Sequence, residues 1–385
     1  MSSRMAGLAT SRLAISLARS RLALTLAAPA VLHNGAAISP QEFSPGARFS
    51  APAGALSSRK VAGDGTMASI EVKPLQDDLA FGARISAVTR EALQDPAVRR
   101  RINEVFEDRG MIVFEDVEPT PQMHVALSNV FGPLKDHPVP TVDRVDQEAL
   151  LGVIDMRYQP GDSTIVEIGG KQLAQWLPWH FDHCYNNELN RAGVLRAIDI
   201  PPEGGLTGFA DGVQLYRDFS PELLKQIEGR NIIYTLNVVY EEMKFGHPEA
   251  FRVVHTQQSA IEMNRYAKTL PRAIHPAVWT RKDGAKVMHV SPWMSEGIEG
   301  EETPAGDALL EAVCQEVNRK VRPYFHHWSP SDMVIWDNWR MLHSVSGFDP
   351  SFARRMQRTT IKGDYGLGRF ENDAEGHRVL TETMV

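Results

Sequence analysis

From Met67 onward, apolar and polar positions fall into short blocks with two different periods. Ser69-Ile70-Glu71-Val72 alternates, as a strand with one buried face does. Ala97 to Phe106 spaces its apolar residues at helical intervals. Gly110 then makes a turn, and Met111-Ile112-Val113-Phe114 follows as an unbroken apolar run, a buried strand. Thr120-Pro121 reads as a helix start and Gly132-Pro133 as the end of that helix. Ser220-Pro221-Glu222 opens another helix that Gly229 closes, and a longer one is expected from about Ala305 to Val321. Strands are expected at Asn231–Tyr234, Val287–Val290 after the turn Lys282-Asp283-Gly284, Asp332–Trp336 and Arg358–Ile361. Many short strands with turn signals and a few helices predict a mainly β protein, a double-sheet roll with helical insertions.

Residues 1–66 follow neither period. Arg4, Arg12, Arg19 and Arg21 stand in an Ala/Ser/Leu-rich stretch with no acidic residue before Glu42, the composition of a transit peptide. Two readings follow: a mitochondrial presequence, or an over-extended start with Met67 as the initiator, which we prefer. Either way the fold is expected in residues 67–385, as a single domain. The length of 385 residues, 43% hydrophobic and 23% charged, suits a globular protein. A net charge of -7 argues against a nucleic-acid footprint, and no Lys/Arg cluster reverses that. Cys184 and Cys314 are the only cysteines, far apart and outside any CxxC pair, which argues against a disulfide framework or thiolate zinc site and favours a reducing compartment. No apolar run is long enough to span a membrane. The expected location is cytoplasmic, or mitochondrial if the extension is a presequence.

Candidate chemistry centres on Trp179-His180-Phe181-Asp182. On an extended strand His180 and Asp182 point one way and Phe181 the other, offering an imidazole and a carboxylate to one metal. His343, in Trp336-Asp337-Asn338-Trp339-Arg340-Met341-Leu342-His343, where an apolar pair again ends in a histidine, is the candidate third ligand; two histidines and a carboxylate suit a non-haem Fe(II) site. A zinc-hydrolase motif His-x-His-x-Asp-His is the competing reading, weakened because its first position is Pro178. No HExxH is present. His326 and His327 read as a surface or packing pair and His275, before Pro276, as a loop residue. Gly204-Gly205-Leu206-Thr207 delivers a hydroxyl, and Arg354 and Arg358 share a face if they lie on one strand. A guanidinium fork suits a carboxylate.

Together these landmarks resemble the taurine dioxygenase family of Fe(II)/2-oxoglutarate-dependent oxygenases, from about Ile70 to Gly366. The resemblance also takes in Phe131-Gly132-Pro133-Leu134 with His137-Pro138, and the spacings of Thr207, Arg354 and Arg358. It implies a jelly-roll (double-stranded β-helix) core, with Fe(II) held by His180, Asp182 and His343. It further implies that Thr207 and Arg354 hold the distal carboxylate of 2-oxoglutarate, and that O2 is consumed with release of succinate and CO2. Arg358, assisted by His137, corresponds to the position that holds the substrate's anion; a salt bridge is its alternative. The family often forms homo-oligomers. Gln175-Trp176-Leu177-Pro178-Trp179 departs from taurine-specific members, and Trp176 is expected to wall a site for a small anionic substrate with an apolar body. His183 is expected near the rim. A zinc hydrolase and a non-catalytic binder of the same fold are the alternatives.

Overall fold

Capping and turn chemistry set the first elements of the fold. Helix α1 (Pro96–Arg109) starts where the Asp95 side chain accepts from Ala97 N and Pro96 fixes φ, and ends at Gly110, whose φ of 76° suits glycine. The chain then enters a strand, Met111–Phe114, with all four residues buried because both faces are covered. Helix α2 (Pro121–Ser128) begins at the Thr120 cap as expected, but it ends at Asn129 rather than at Gly132-Pro133. The N–H groups of Val130 and Phe131 turn back onto Leu127 and Ser128, closing the helix a turn early. The computed structural model describes residues 70–135, 145, 152–161 and 163–371. The expected extension 1–66 and His137 lie outside the described residues.

Two sheets build the frame, with strands numbered in chain order. The larger contains β1 (Glu71–Pro74), β2 (Ala83–Ser86), β3 (Met111–Phe114), β4 (Leu134–Lys135), β5 (Val153–Tyr158), β8 (Ala192–Asp199), β17 (Met333–Asp337) and β19 (Arg354–Ile361). The second contains β6 (Ile165–Ile168), β7 (Lys171–His180), β9 (Thr207–Asp211), β11 (Phe251–His255), β16 (Tyr324–His326) and β18 (Met341–Phe348). A four-stranded sheet of β10 (Asn231–Tyr234), β12 (Ala273–Pro276), β15 (Ser295–Ile298) and β20 (Arg369–Phe370), and a hairpin of β13 (Val278–Thr280) and β14 (Lys286–Met288), complete the strands described. The remaining helices are α3 (Gly212–Asp218), α4 (Pro221–Ile227), α5 (Gln258–Ala267) and α6 (Pro304–Lys320). The fold is the expected jelly roll with helical insertions; the sheets are not closed.

Side-chain alternation divides the core into layers. Met111 and Val113 of β3 join Leu195, Val334 and Met356 in a cluster that reaches Phe209 and Met341 of the second sheet. Their neighbours Ile112 and Phe114 turn outward beneath Ile102, Phe106 and Leu127 of α1 and α2. A third cluster joins Phe181 and Leu342 to Ile232, Leu310, Val313 and Val317 of the outer sheet and α6. β19 starts at Arg354, four residues earlier than expected, and pairs along its length with β8. His275 is no loop residue: it is fully buried in β12 opposite Ile232, because the position before proline favours extended backbone. His326 and His327 do not form a pair. His326 is buried in β16 between Tyr324 Oη (3.0 Å) and Asp332 (3.3 Å), whereas His327 is exposed.

Candidate metal centre and its cavity

The centre forms where β7 and β18 run antiparallel with His180 opposite His343. β18 also pairs with β9, placing Val345 opposite Thr207, so one sheet carries both imidazoles and the threonine. β19 of the larger sheet faces them, and its even positions Arg354, Met356 and Arg358 line the same cavity of about 630 Å³. The expected shared face of the two arginines is observed.

Asp182 reaches the centre by a different route from the one expected. β7 ends at His180, and Asp182 lies in the following turn rather than on the strand. Asn338 clamps that turn: its Oδ1 accepts from Asp182 N (2.7 Å), and its Nδ2 donates to Asp182 O (3.0 Å) and to Asn190 O (3.2 Å). Phe181 points away, stacked on His289 at 3.8 Å between ring centroids.

His180, Asp182 and His343 are all buried, with candidate ligand atoms within 4.8 Å of one another. His180 Nδ1 is bonded to Pro178 O (2.8 Å), which leaves Nε2 as the lone-pair nitrogen. Burial, the largest effect on either ring, pushes both imidazoles below their ordinary range, so they are neutral near pH 7. Burial pushes the Asp182 carboxyl up, but the positive charge of Arg358, joined in acid by that of His343, His183 and His180, outweighs it and holds it well below the usual carboxylate range. Asp182 Oδ2 and His343 Nδ1 are buried without a hydrogen-bond partner. Two neutral imidazoles and a carboxylate with an unsatisfied oxygen, open to one cavity, fit a divalent iron site. His183 does not join them. Its backbone turns at φ 60°, and its ring is buried against Tyr185 rather than at the cavity wall. The four-ligand zinc pattern is therefore absent from the described residues.

Among the described residues no carboxylate pairs with the buried Arg354 cation. Nη1 donates to Gln175 Oε1 (3.2 Å), while Nε and Nη2 have no hydrogen-bond partner among the described residues. Burial pulls its guanidinium down to about 10. The turn behind it requires glycine: Gly205 has φ 65°, and a Cβ there would lie 2.7 Å from Pro201 Cγ and 3.3 Å from Arg354 Nε. Thr207 is buried beside the cavity and accepts from Trp328 Nε1 (3.2 Å), which leaves its own proton to donate elsewhere. A carboxylate is the group that an unpaired guanidinium and a donating hydroxyl suit. Arg358 Nη1 meets Asp182 Oδ1 at 2.9 Å, the salt bridge that was its alternative reading.

The apolar wall is larger than Trp176 alone. Trp176 packs on Tyr240 and Phe251 at centroid distances of 5.6 and 5.4 Å, and Tyr240 Oη donates to Trp176 O (2.6 Å). Trp293 meets the His180 ring edge-on at 4.9 Å, and Val238 and Met263 extend the lining. Of these only Trp176 was singled out from sequence. Tyr240, Trp293 and Trp328 carry no motif tying them to the cluster, whereas Gln175 opens the run that leads into His180 and Asn338 lies between Trp336 and His343.

The family model described as Taurine catabolism dioxygenase TauD, TfdA family matches residues 71–360. The (S)-phenoxypropionate/alpha-ketoglutarate-dioxygenase of Sphingobium herbicidovorans is 25% identical over 297 residues, 77% of this chain and 96% of its own. The alpha-ketoglutarate-dependent 2,4-dichlorophenoxyacetate dioxygenase of Cupriavidus pinatubonensis is 26% identical over 302 residues, 77% of this chain and 99% of its own. Among solved structures, a taurine dioxygenase from Burkholderia xenovorans superposes with a TM-score of 0.57 at 22% identity, over 81% of this chain and 94% of its own.

Proposed function

Because the chain belongs to the TauD/TfdA family and is a 2-oxoglutarate-dependent dioxygenase, we propose that it hydroxylates an organic acid whose apolar body rests on Trp176, Tyr240 and Trp293. When bound, Fe(II) with 2-oxoglutarate and O2 supplies the oxidant for a substrate C–H bond, with succinate and CO2 as co-products. His180, Asp182 and His343 are the residues that would hold the metal. Arg354 would hold the far carboxylate of 2-oxoglutarate, with Thr207 donating to it from the opposite sheet. Arg358, at the other end of the same strand face, would hold the substrate's anion. The aromatic wall excludes water from the reacting bond and aligns a flat or elongated body by contact rather than by hydrogen bonds.

The observation that carries this reading is the Arg354 guanidinium, buried beside a His/Asp/His cluster with two donors unpaired. The two relatives act, by their names, on aryloxy acids. Such an acid has the shape that the wall accommodates. Anaerobic addition of Fe(II) and then 2-oxoglutarate should produce a visible charge-transfer band that needs both additions and is lost in His180→Ala and weakened in Arg354→Ala. Succinate release should then be faster with phenoxyacetate or a medium-chain alkyl acid than with taurine. Equal rates with taurine would refute the argument from the wall. A homo-oligomer and a cytoplasmic location belong to the same proposal, and light scattering and cell fractionation test them.

A further inference from the structure

We propose that Arg358 is a switch between metal and substrate: it competes with the metal for Asp182, and the substrate's anion draws that competition off. The inference rests on the reading of this cavity as the site of an anionic substrate.

Arg358 Nη1 donates to Asp182 Oδ1 at 2.9 Å, and this same oxygen lies 3.7 Å from His343 Nε2. The guanidinium therefore engages the carboxylate on the side facing a second ligand, while Oδ2 is buried and unpartnered. Both side chains are about nine-tenths buried, at 11% and 9% exposure, so solvent and salt screen their interaction little. A divalent ion entering the cluster meets a fixed positive charge one carboxylate away and must share or displace it. Once the metal draws on Asp182, Arg358 loses its counter-charge, since among the described residues Asp182 is the one carboxylate in ion-pair contact with it. Its remaining contacts are weak in this respect. Nη2 donates to the neutral Thr360 Oγ1 at 3.3 Å, and Nε is buried with no partner.

An anion in the cavity removes that penalty. It accepts from the unpaired donors of Arg358, neutralises the charge beside the metal, and leaves Asp182 to the ion. Metal and anion then bind cooperatively, and by linkage each tightens the other by the same factor. The physical consequence is a metal site held most firmly when substrate is present.

The test uses the full chain freed of metal, with Mn(II) as the probe ion and phenoxyacetate as the probe anion. Mn(II) affinity is measured by calorimetry or by the spin-resonance signal of free Mn(II), with 2-oxoglutarate present throughout. In the wild-type protein, saturating phenoxyacetate should lower the Mn(II) dissociation constant by about fivefold or more. Arg358→Gln should bind Mn(II) more tightly than wild type without the anion and should gain nothing from it. No gain in the wild-type protein with phenoxyacetate bound, or an equal gain in Arg358→Gln, overturns the proposal. The second of these results would mean direct ligation of the metal by the anion. If phenoxyacetate does not bind, the anion-free comparison decides: tighter Mn(II) in the variant supports the competition, and equal or weaker binding overturns it. If the variant does not fold, the wild-type arm decides. Failure of the functional reading itself appears elsewhere, as absence of the charge-transfer band and of succinate release.

Discussion

Replacing Arg354 by methionine should stabilise the protein and disable it in one step. In the absence of a bound carboxylate its guanidinium is fully enclosed, bonded through one nitrogen to Gln175, and lowered to about 10 by burial alone. A lowering of that size disfavours the charged form by on the order of 3 kcal/mol. Methionine fills much of the same volume without a charge, and the lost hydrogen bond to Gln175 returns about 1 kcal/mol. The unliganded variant should thus gain about 1–2 kcal/mol, which for a chain of this size raises Tm by about 1–2 °C per kcal/mol. Removing one partner of a buried charge pair costs about 2–5 kcal/mol of binding, so 2-oxoglutarate should bind at least about 30-fold more weakly. At a hundred times its dissociation constant the co-substrate adds about 2.7 kcal/mol to the wild-type protein and little to the variant. Thermal melts with Mn(II) under argon should therefore converge: the variant melts higher without 2-oxoglutarate and loses nearly all of that lead, or more, with it. A variant that melts lower in both conditions, or binds 2-oxoglutarate within about threefold of wild type, would refute the assignment of an unpaired carboxylate receptor; the threefold limit is a loss of only about 0.7 kcal/mol.

Trp328→Phe removes the donor to Thr207 Oγ1 and should raise the 2-oxoglutarate dissociation constant by about 3- to 10-fold with kcat nearly unchanged; a larger loss of kcat than of affinity would contradict it. Asn338→Ala releases the turn that carries Asp182 and should weaken Mn(II) binding by about 10- to 100-fold, read by titration of the full chain. Stability should fall steeply in acid. Burial lowers His124 and His275 from 6.5 to about 4 and His289 to about 3, so the unfolded chain binds more protons once pH drops below 6.5. Their contribution is complete above pH 6.5 and is lost as pH falls toward 4, at up to about 4 kcal/mol per pH unit for the three together. Urea titrations at several pH values check this, and a stability independent of pH between 7 and 4.5 would contradict it.

How much of this site the sequence discloses depends on whether each residue is placed by local rules. Arg354 and Arg358 obey the period of a strand, and β19 sets them on one face as their even spacing requires. His180 and His343 end apolar runs and pair across two neighbouring strands. Asp182 is different. Between His343/His180 and Val345/Leu177 the register advances by two residues on β18 and three on β7, a bulge at Pro178-Trp179. The bulge upsets simple alternation just before Asp182, and Pro178 sits at it, one of the few places where a strand tolerates a proline. Its carbonyl, freed from the ladder, then fixes the His180 ring. Past the strand end, Asp182 is aimed by Asn338, 156 residues away in the chain. The aromatic wall shares this origin: Trp176, Tyr240 and Trp293 come from three separated segments, and none has a spacing that predicts their meeting. Residues placed by strand period are legible in one sequence, whereas those placed by a bulge or a distant clamp appear only with the fold. Here the second group aims the carboxylate of the candidate centre and shapes the space beside it, so the reaction class is read from the chain, whereas the proposed substrate rests on packing.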